Sequence, residues 1–154
     1  MNDTKTVTLS RHLTEGRIVF YSKPITKLFI FTDLVGQFHY HKPEAALQAI
    51  LEREKAGSTV LVPGVAVPHA RLIDVPDVMA SLGICLEGVE DPKDSEIVRI
   101  FLMFIGPVHN MKKNLDFLAA ASSLLSTDGF KESLLSTVYP SEAMAVIRKA
   151  EESL

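Results

Sequence analysis

Near the middle of the chain a proline and a histidine stand side by side, in "GVAVPHARL" at residues 64–72. Pro68 fixes its own φ and restricts Val67, so the backbone that presents His69 is stiff. Gly64, Ala66 and Ala70 are small, and Arg71 follows directly, so a bulky partner has room close to the ring. An imidazole with an ordinary pKa of about 6.5 keeps a neutral, nucleophilic nitrogen near neutral pH, which suits it to accept and release a group. A phosphoryl group would need an acceptor holding one ring nitrogen, and cations or donors facing its oxygens. "LEREK" offers Arg53, 16 positions upstream, whose guanidinium can meet two oxygens at once. Taken residue by residue, a plainer reading stays open for each. His69 also suits a hydrogen-bonded turn, and Arg53 a solvated helix surface beside Glu52, Glu54 and Lys55.

Elements must position these two side chains. "RIVFY" (17–21) is short, apolar and rich in β-formers, which predicts a strand. "SKPITKLFIFTDLV" predicts a helix with Ser22 as N-cap and Pro24 in its first turn, with Ile25, Leu28, Phe29 and Val35 on one face. "GQFHYHKP" is a break, and Pro43 opens a second helix, with Ala46, Leu47, Ile50 and Leu51 inward, that ends at Gly57. "STVLV" predicts a strand, and "PGVAVPHARL" a punctuated loop with room for one short strand. "VMASLGICL" and "IVRIFLMFIG" predict strands, the second apolar enough to be covered on both faces; "DPKDSE" (91–96) is the polar turn between them. From about Met111 the pattern is helical in three segments, with Asp128 and Ser141 as N-caps of the later two. Interleaved strands and helices imply an α/β fold, a single mixed sheet of about five strands sandwiched between helices.

Length and composition set outer limits. A chain of 154 residues suits one domain with a substantial core, and 47% hydrophobic with 23% charged residues argues against disorder. A net charge of −3 argues against nucleic acid as the main partner. With one cysteine no intramolecular disulfide can form, and no stretch approaches the ~20 apolar residues of a membrane span. The expectation is a cytoplasmic protein.

"REKAGSTVLVPGVAVPHARL" resembles the active-site signature of the enzyme IIA domains, fructose/mannitol type (type 2), of the bacterial phosphotransferase system, which include the nitrogen-regulatory enzyme IIA proteins. The matching pattern is an "RE" pair closing a helix, a short strand, then "G-x-A-x-P-H-[AG]". "SKPITKLFIF", "EGVEDPKDSEIVRIFLMFIGP" and "NLDFLAAASSLLST" extend the resemblance over about 9–150. It implies that His69 is the phosphohistidine and that Arg53 steadies the phosphoryl oxygens. It implies no cofactor and no metal, with phosphoenolpyruvate as ultimate donor. A small histidine-phosphorylated carrier protein (HPr-like) would supply the phosphoryl, and an enzyme IIB or a regulatory target would receive it. A peripheral link to a membrane transporter and a monomer or weak dimer complete the expectation. Family members usually carry a second active-site histidine at the start of an "H-L-x-x-L-A" helix; here that position is Asn114, in "NLDFLA". Asparagine can donate a hydrogen bond to a phosphoryl oxygen but holds no charge. His109, five residues upstream, is a candidate to fold back in its place, with Lys112 and Lys113 adding positive field. The alternative is a regulatory protein-binding module of the same fold, in nitrogen or potassium regulation, with weak or no onward transfer.

The remaining signals carry less. His39 and His41 in "HYH" would share one side of a strand, but two ligands make a poor metal site. Cys85 stands mid-strand without a second cysteine and reads as a small apolar core residue. Neither a phosphate-binding glycine loop nor a G-x-S-x-G elbow occurs.

Overall fold

The computed structural model describes residues 7–23, 25–91 and 96–154. Six strands form one mixed sheet: β1 (Ile18–Tyr21), β2 (Val60–Val62), β3 (Val65–Ala66), β4 (His69–Leu72), β5 (Met79–Asp91) and β6 (Glu96–Pro107). The order is β1-β5-β6-β3-β2, with β4 also on β6. β5 and β6 are antiparallel neighbours, whereas β1 runs parallel to β5, and β3 and β4 run parallel to β6. β3 pairs Ala66 with Phe101 and β4 pairs His69 with Phe104, so the register along β6 is unbroken through Val67 and Pro68. The two short strands are therefore one line of chain interrupted at a residue that has no N–H to give.

Helices cover both faces. α1 (Lys27–Gly36) and α2 (Pro43–Lys55) pack Ile30, Phe31, Leu34 and Ile50 against Phe101, Met103 and Ile105 of β6. On the other face α3 (Met111–Leu125), α4 (Phe130–Leu135) and α5 (Pro140–Glu152) bring Phe117, Ala121, Leu134 and Ile147 against Leu102 and Phe104. Residues Ile100 to Ile105 are all at most 1% exposed, which is why this strand reads as an unbroken apolar run. The mixed α/β sandwich is thus as expected, with two short strands where the sequence leaves room for one. Cys85 is fully buried between β5 and the α1–α2 layer.

Three helix starts differ from expectation. α1 begins at Lys27, because the Thr26 hydroxyl rather than Ser22 accepts a helix N–H, that of Phe29 at 3.1 Å. Its buried face is Ile30, Phe31, Leu34 and Val35, leaving Leu28 and Phe29 more than half exposed. α4 is preceded by Gly129 at φ 81° rather than capped by Asp128, since the left-handed turn delays the helix by a residue. α5 takes Tyr139 as N-cap and Pro140 in its first turn; the Glu142 carboxylate accepts the N–H groups of Tyr139 and Val138 at 3.0 and 2.9 Å, so Ser141 lies inside the helix. Pro24 and most of the expected polar turn, 92–95, lie outside the described residues.

Candidate active site

β4 lies on the outer side of β6, where the two helical layers meet the sheet margin. Side chains alternate along it: Ala70 is buried toward α1 and α2, so His69 and Arg71 face the α3 side. There the His69 ring stacks on Phe104, with centroids 4.8 Å apart and planes 3° from parallel. Its Nδ1 lies 2.8 Å from the Val67 carbonyl oxygen. A carbonyl only accepts, so Nδ1 carries the hydrogen and Nε2 keeps a lone pair. Burial pushes the His69 pKa below its ordinary value; the Val67 carbonyl and Glu54 oppose that, while Arg53 and Arg71 reinforce it. The ring is thereby kept neutral at lower pH than a free histidine.

A relay of hydrogen bonds, buried at its Thr59–Glu54 link, ties this ring to α2. Arg53, half-buried in the last turn of that helix, donates from Nη1 to the Gly57 carbonyl at 3.0 Å. Two residues on, the Thr59 hydroxyl donates to Glu54 Oε2 at 2.6 Å, and Glu54 pairs with Lys27 of α1 at 2.9 Å. The Thr59 carbonyl accepts the Val67 N–H at 2.8 Å. One short loop thus holds the guanidinium through Gly57 and the imidazole's acceptor peptide through Thr59. Glu52 bonds Gln48 and Lys55, leaving Arg53 without a carboxylate partner among the described residues. His69, Arg53, Arg71 and Asn114 line a cavity of about 590 Å³. Val108, Met111 and Leu115, 39%, 44% and 57% exposed, give its mouth an apolar rim. A nucleophilic nitrogen, two cations and an apolar mouth suit an anion delivered by another macromolecule.

The amino-acid pattern around this geometry decides the family. Residues 22–150 match the family model described as phosphoenolpyruvate-dependent sugar phosphotransferase system, EIIA 2. The chain belongs to this EIIA 2 family. It is 28% identical over 123 residues to a nitrogen regulatory protein of Escherichia coli (strain K12), an alignment covering 77% of this chain and 73% of that one. The crystal structure of the nitrogen regulatory protein IIA-Ntr from Neisseria meningitidis shares its fold, with a TM-score of 0.80 at 23% identity over 90% of this chain and 98% of that chain. So does the enzyme IIA of the Escherichia coli mannitol system, solved in complex with phosphorylated enzyme IIB (TM-score 0.68, 20% identity, 89% and 99% coverage).

Within this EIIA 2 chain, His69 and Arg53 border one cavity, as does Asn114. Asn114 is only 5% exposed and spends both amide hydrogens on backbone, at 2.9 Å to the Pro107 carbonyl and 3.1 Å to that of Asn110. Its Oδ1 is buried without a partner, over Gly106, where a Cβ would collide with it. His109 is exposed and outside the cavity lining. Lys112 pairs with Asp116 at 2.6 Å, Lys113 reaches the Pro76 carbonyl at 3.3 Å and Asp77 at 3.7 Å, and neither lysine lines the cavity. His39 sits at φ 51° in a turn rather than a strand, and His41 meets Asp74 at 3.2 Å. The residues that sequence reasoning passed over are Arg71, Phe104 and the Glu54–Thr59 pair. Arg71 was within reach, because period-two alternation from His69 puts it on the same face once "HARL" is taken as a strand.

No helix among the described residues is long and apolar enough to cross a membrane.

Proposed function

We propose that this chain is a histidine phosphocarrier of the phosphotransferase system, with His69 as the residue phosphorylated and Arg53 as the group that steadies the phosphoryl oxygens. The observation that carries the reading is the 2.8 Å contact between His69 Nδ1 and the Val67 carbonyl, which leaves Nε2 as the free nucleophile. The donor is a small histidine-phosphorylated carrier protein, itself charged ultimately from phosphoenolpyruvate. Nε2 attacks phosphorus, a new N–P bond forms, and the donor's N–P bond breaks with its electron pair returning to the donor ring. His69 keeps its Nδ1 proton, now on a positively charged ring, and the Val67 carbonyl stabilises that charge. A donor ring protonated on its other nitrogen leaves neutral, so no proton need enter or depart. Arg53 meets the phosphoryl oxygens as charge shifts toward them. Onward transfer to an enzyme IIB reverses these steps, and the enzyme IIA–IIB complex of the mannitol neighbour supports that class of acceptor.

Incubation with phosphoenolpyruvate, enzyme I and the small carrier protein tests this. Acid-labile, base-stable phosphate should appear on the wild type and vanish in His69→Ala. Label retained on the variant removes His69 from the role.

A second reading keeps phosphorylation as a signal rather than a transfer. It is favoured by the likeness to a nitrogen regulatory protein and by an Asn114 whose amide hydrogens are already spent. Partner capture by wild type against His69→Asp tests it, and identical partner sets would count against a switch.

A further inference from the structure

We infer that Arg71 is a second phosphoryl-binding residue, a mobile cation that closes on the transferred group from the side opposite Arg53. The inference rests on the proposed role of His69 and adds a group that neither the motif nor the family match assigns.

His69 and Arg71 stand two residues apart on one face of β4, about 7 Å between backbones. Arg53 approaches the ring from α2, in the other helical layer, so the two guanidiniums reach the cavity from different sides of the sheet margin. Arg71 is exposed, and its one polar contact among the described residues is a 3.5 Å approach of Nη1 to the Met111 thioether, a weak acceptor. No carboxylate claims it among the described residues. Glu52, the acidic residue on the cavity wall, is taken by Gln48 and Lys55. An arginine held only by sulfur can leave that contact at little cost, and phosphoryl oxygens are much better acceptors for its planar fork.

Asn114 makes the need specific. With both amide hydrogens bonded to the Pro107 and Asn110 carbonyls, it has none left for a phosphoryl oxygen. Among the described residues, the other side chains lining the α3 side of the cavity are apolar and offer no donor, and Arg71 stands on that side, paired with Gly106 of β6. Arg71 makes hydrogen bonds to the phosphoryl oxygens while the N–P bond forms at Nε2, and no proton leaves it.

The test separates contact with phosphate from contact with a partner protein. Phosphoramidate, a small chemical phosphoryl donor with no docking surface, is compared with the phosphorylated carrier protein on wild type, Arg71→Ala, Arg71→Lys and His69→Ala. Arg71→Ala should slow phosphorylation by phosphoramidate about tenfold or more. That is less than the hundredfold or greater loss typical of an enclosed oxyanion donor, because Arg71 is exposed. Arg71→Lys should recover a good part of the rate as a point charge. Folding of each variant is checked by its urea midpoint, which an exposed side chain should leave unmoved. A wild-type rate for Arg71→Ala with phosphoramidate overturns the inference, even if the protein donor is slowed, since that result describes docking. Label surviving in His69→Ala instead overturns the parent reading, and the two failures are told apart by which variant produces them.

Discussion

Gly106 and Asn114 should be coupled, and the coupling can be worked out from their contact. Gly106 lies in β6 with no positive φ, so alanine there is compatible with the backbone and would by itself stabilise by about 0.4–1 kcal/mol through the unfolded chain. Its Cβ, however, would enter the space held by Asn114 Oδ1. The amide cannot simply flip, because the carbonyls of Pro107 and Asn110 require its NH₂ where it is. Room can be made only by swinging the side chain away and giving up both bonds. At about 1 kcal/mol each, less the entropic gain, Gly106→Ala should cost roughly 1–2 kcal/mol. For a chain of this length that is a fall of about 2–8 °C in Tm. In an Asn114→Ala background the collision is gone, and adding Gly106→Ala should be neutral or stabilising. Urea denaturation of the four proteins of this cycle measures the coupling energy. Coupling of about 1 kcal/mol or more is expected. Additive effects within about 0.3 kcal/mol would refute the claim that this amide is locked over the glycine.

Two further expectations follow from the relay and the ring. Thr59→Val removes the hydroxyl that donates to buried Glu54 and should cost about 1–3 kcal/mol, read from the urea midpoint; an unchanged midpoint would show that the relay does not hold the loop. For His69, NMR titration of the ring should give a midpoint below about 6.5, because burial, the largest cause, disfavours its charged form. The sign of the linkage is that of a depressed pKa. The stability contribution is present above the unfolded-state value near 6.5 and is lost as pH falls through the lower folded-state value. A midpoint at or above 6.5 would contradict the burial argument.

Much of this site was legible in the sequence, and the illegible part has physical reasons. Pro68–His69 could be read because proline acts on the backbone locally, whereas Arg53, which by itself also suits a solvated helix surface, entered the candidate site through the family resemblance. β6 could be read because a strand covered on both faces loses its polar alternation. The state of Asn114 could not, since it depends on carbonyls at Pro107 and Asn110 and on the bare backbone of Gly106, eight residues earlier and in a different element. Leu28 and Phe29 misled because two apolar pairs compete for one helix face, and tertiary packing chose Ile30 and Phe31. The caps at Thr26 and Tyr139 turned on which side-chain oxygen met an N–H, a matter of one residue's placement.

Why the imidazole stands at this margin of the sheet follows from backbone accounting. Along the line of β3 and β4 the peptide groups alternate, those of Pro68 turning inward and those of Val67 outward: Phe104 N donates to the Pro68 carbonyl at 3.1 Å, while Val67 N donates to the Thr59 carbonyl. Paired strand β2 begins only at Val60, and among the described residues no backbone N–H outside the strand ladders donates to the Val67 carbonyl, which needs another donor. His69 Nδ1 is that donor, two residues along the same face. In a central strand the carbonyl would be consumed by the ladder and the ring would be free to choose either tautomer. At the edge, satisfying one backbone oxygen fixes which nitrogen is left as the nucleophile. The short outer strand, the proline that interrupts the line and the orientation of the imidazole are therefore a single arrangement.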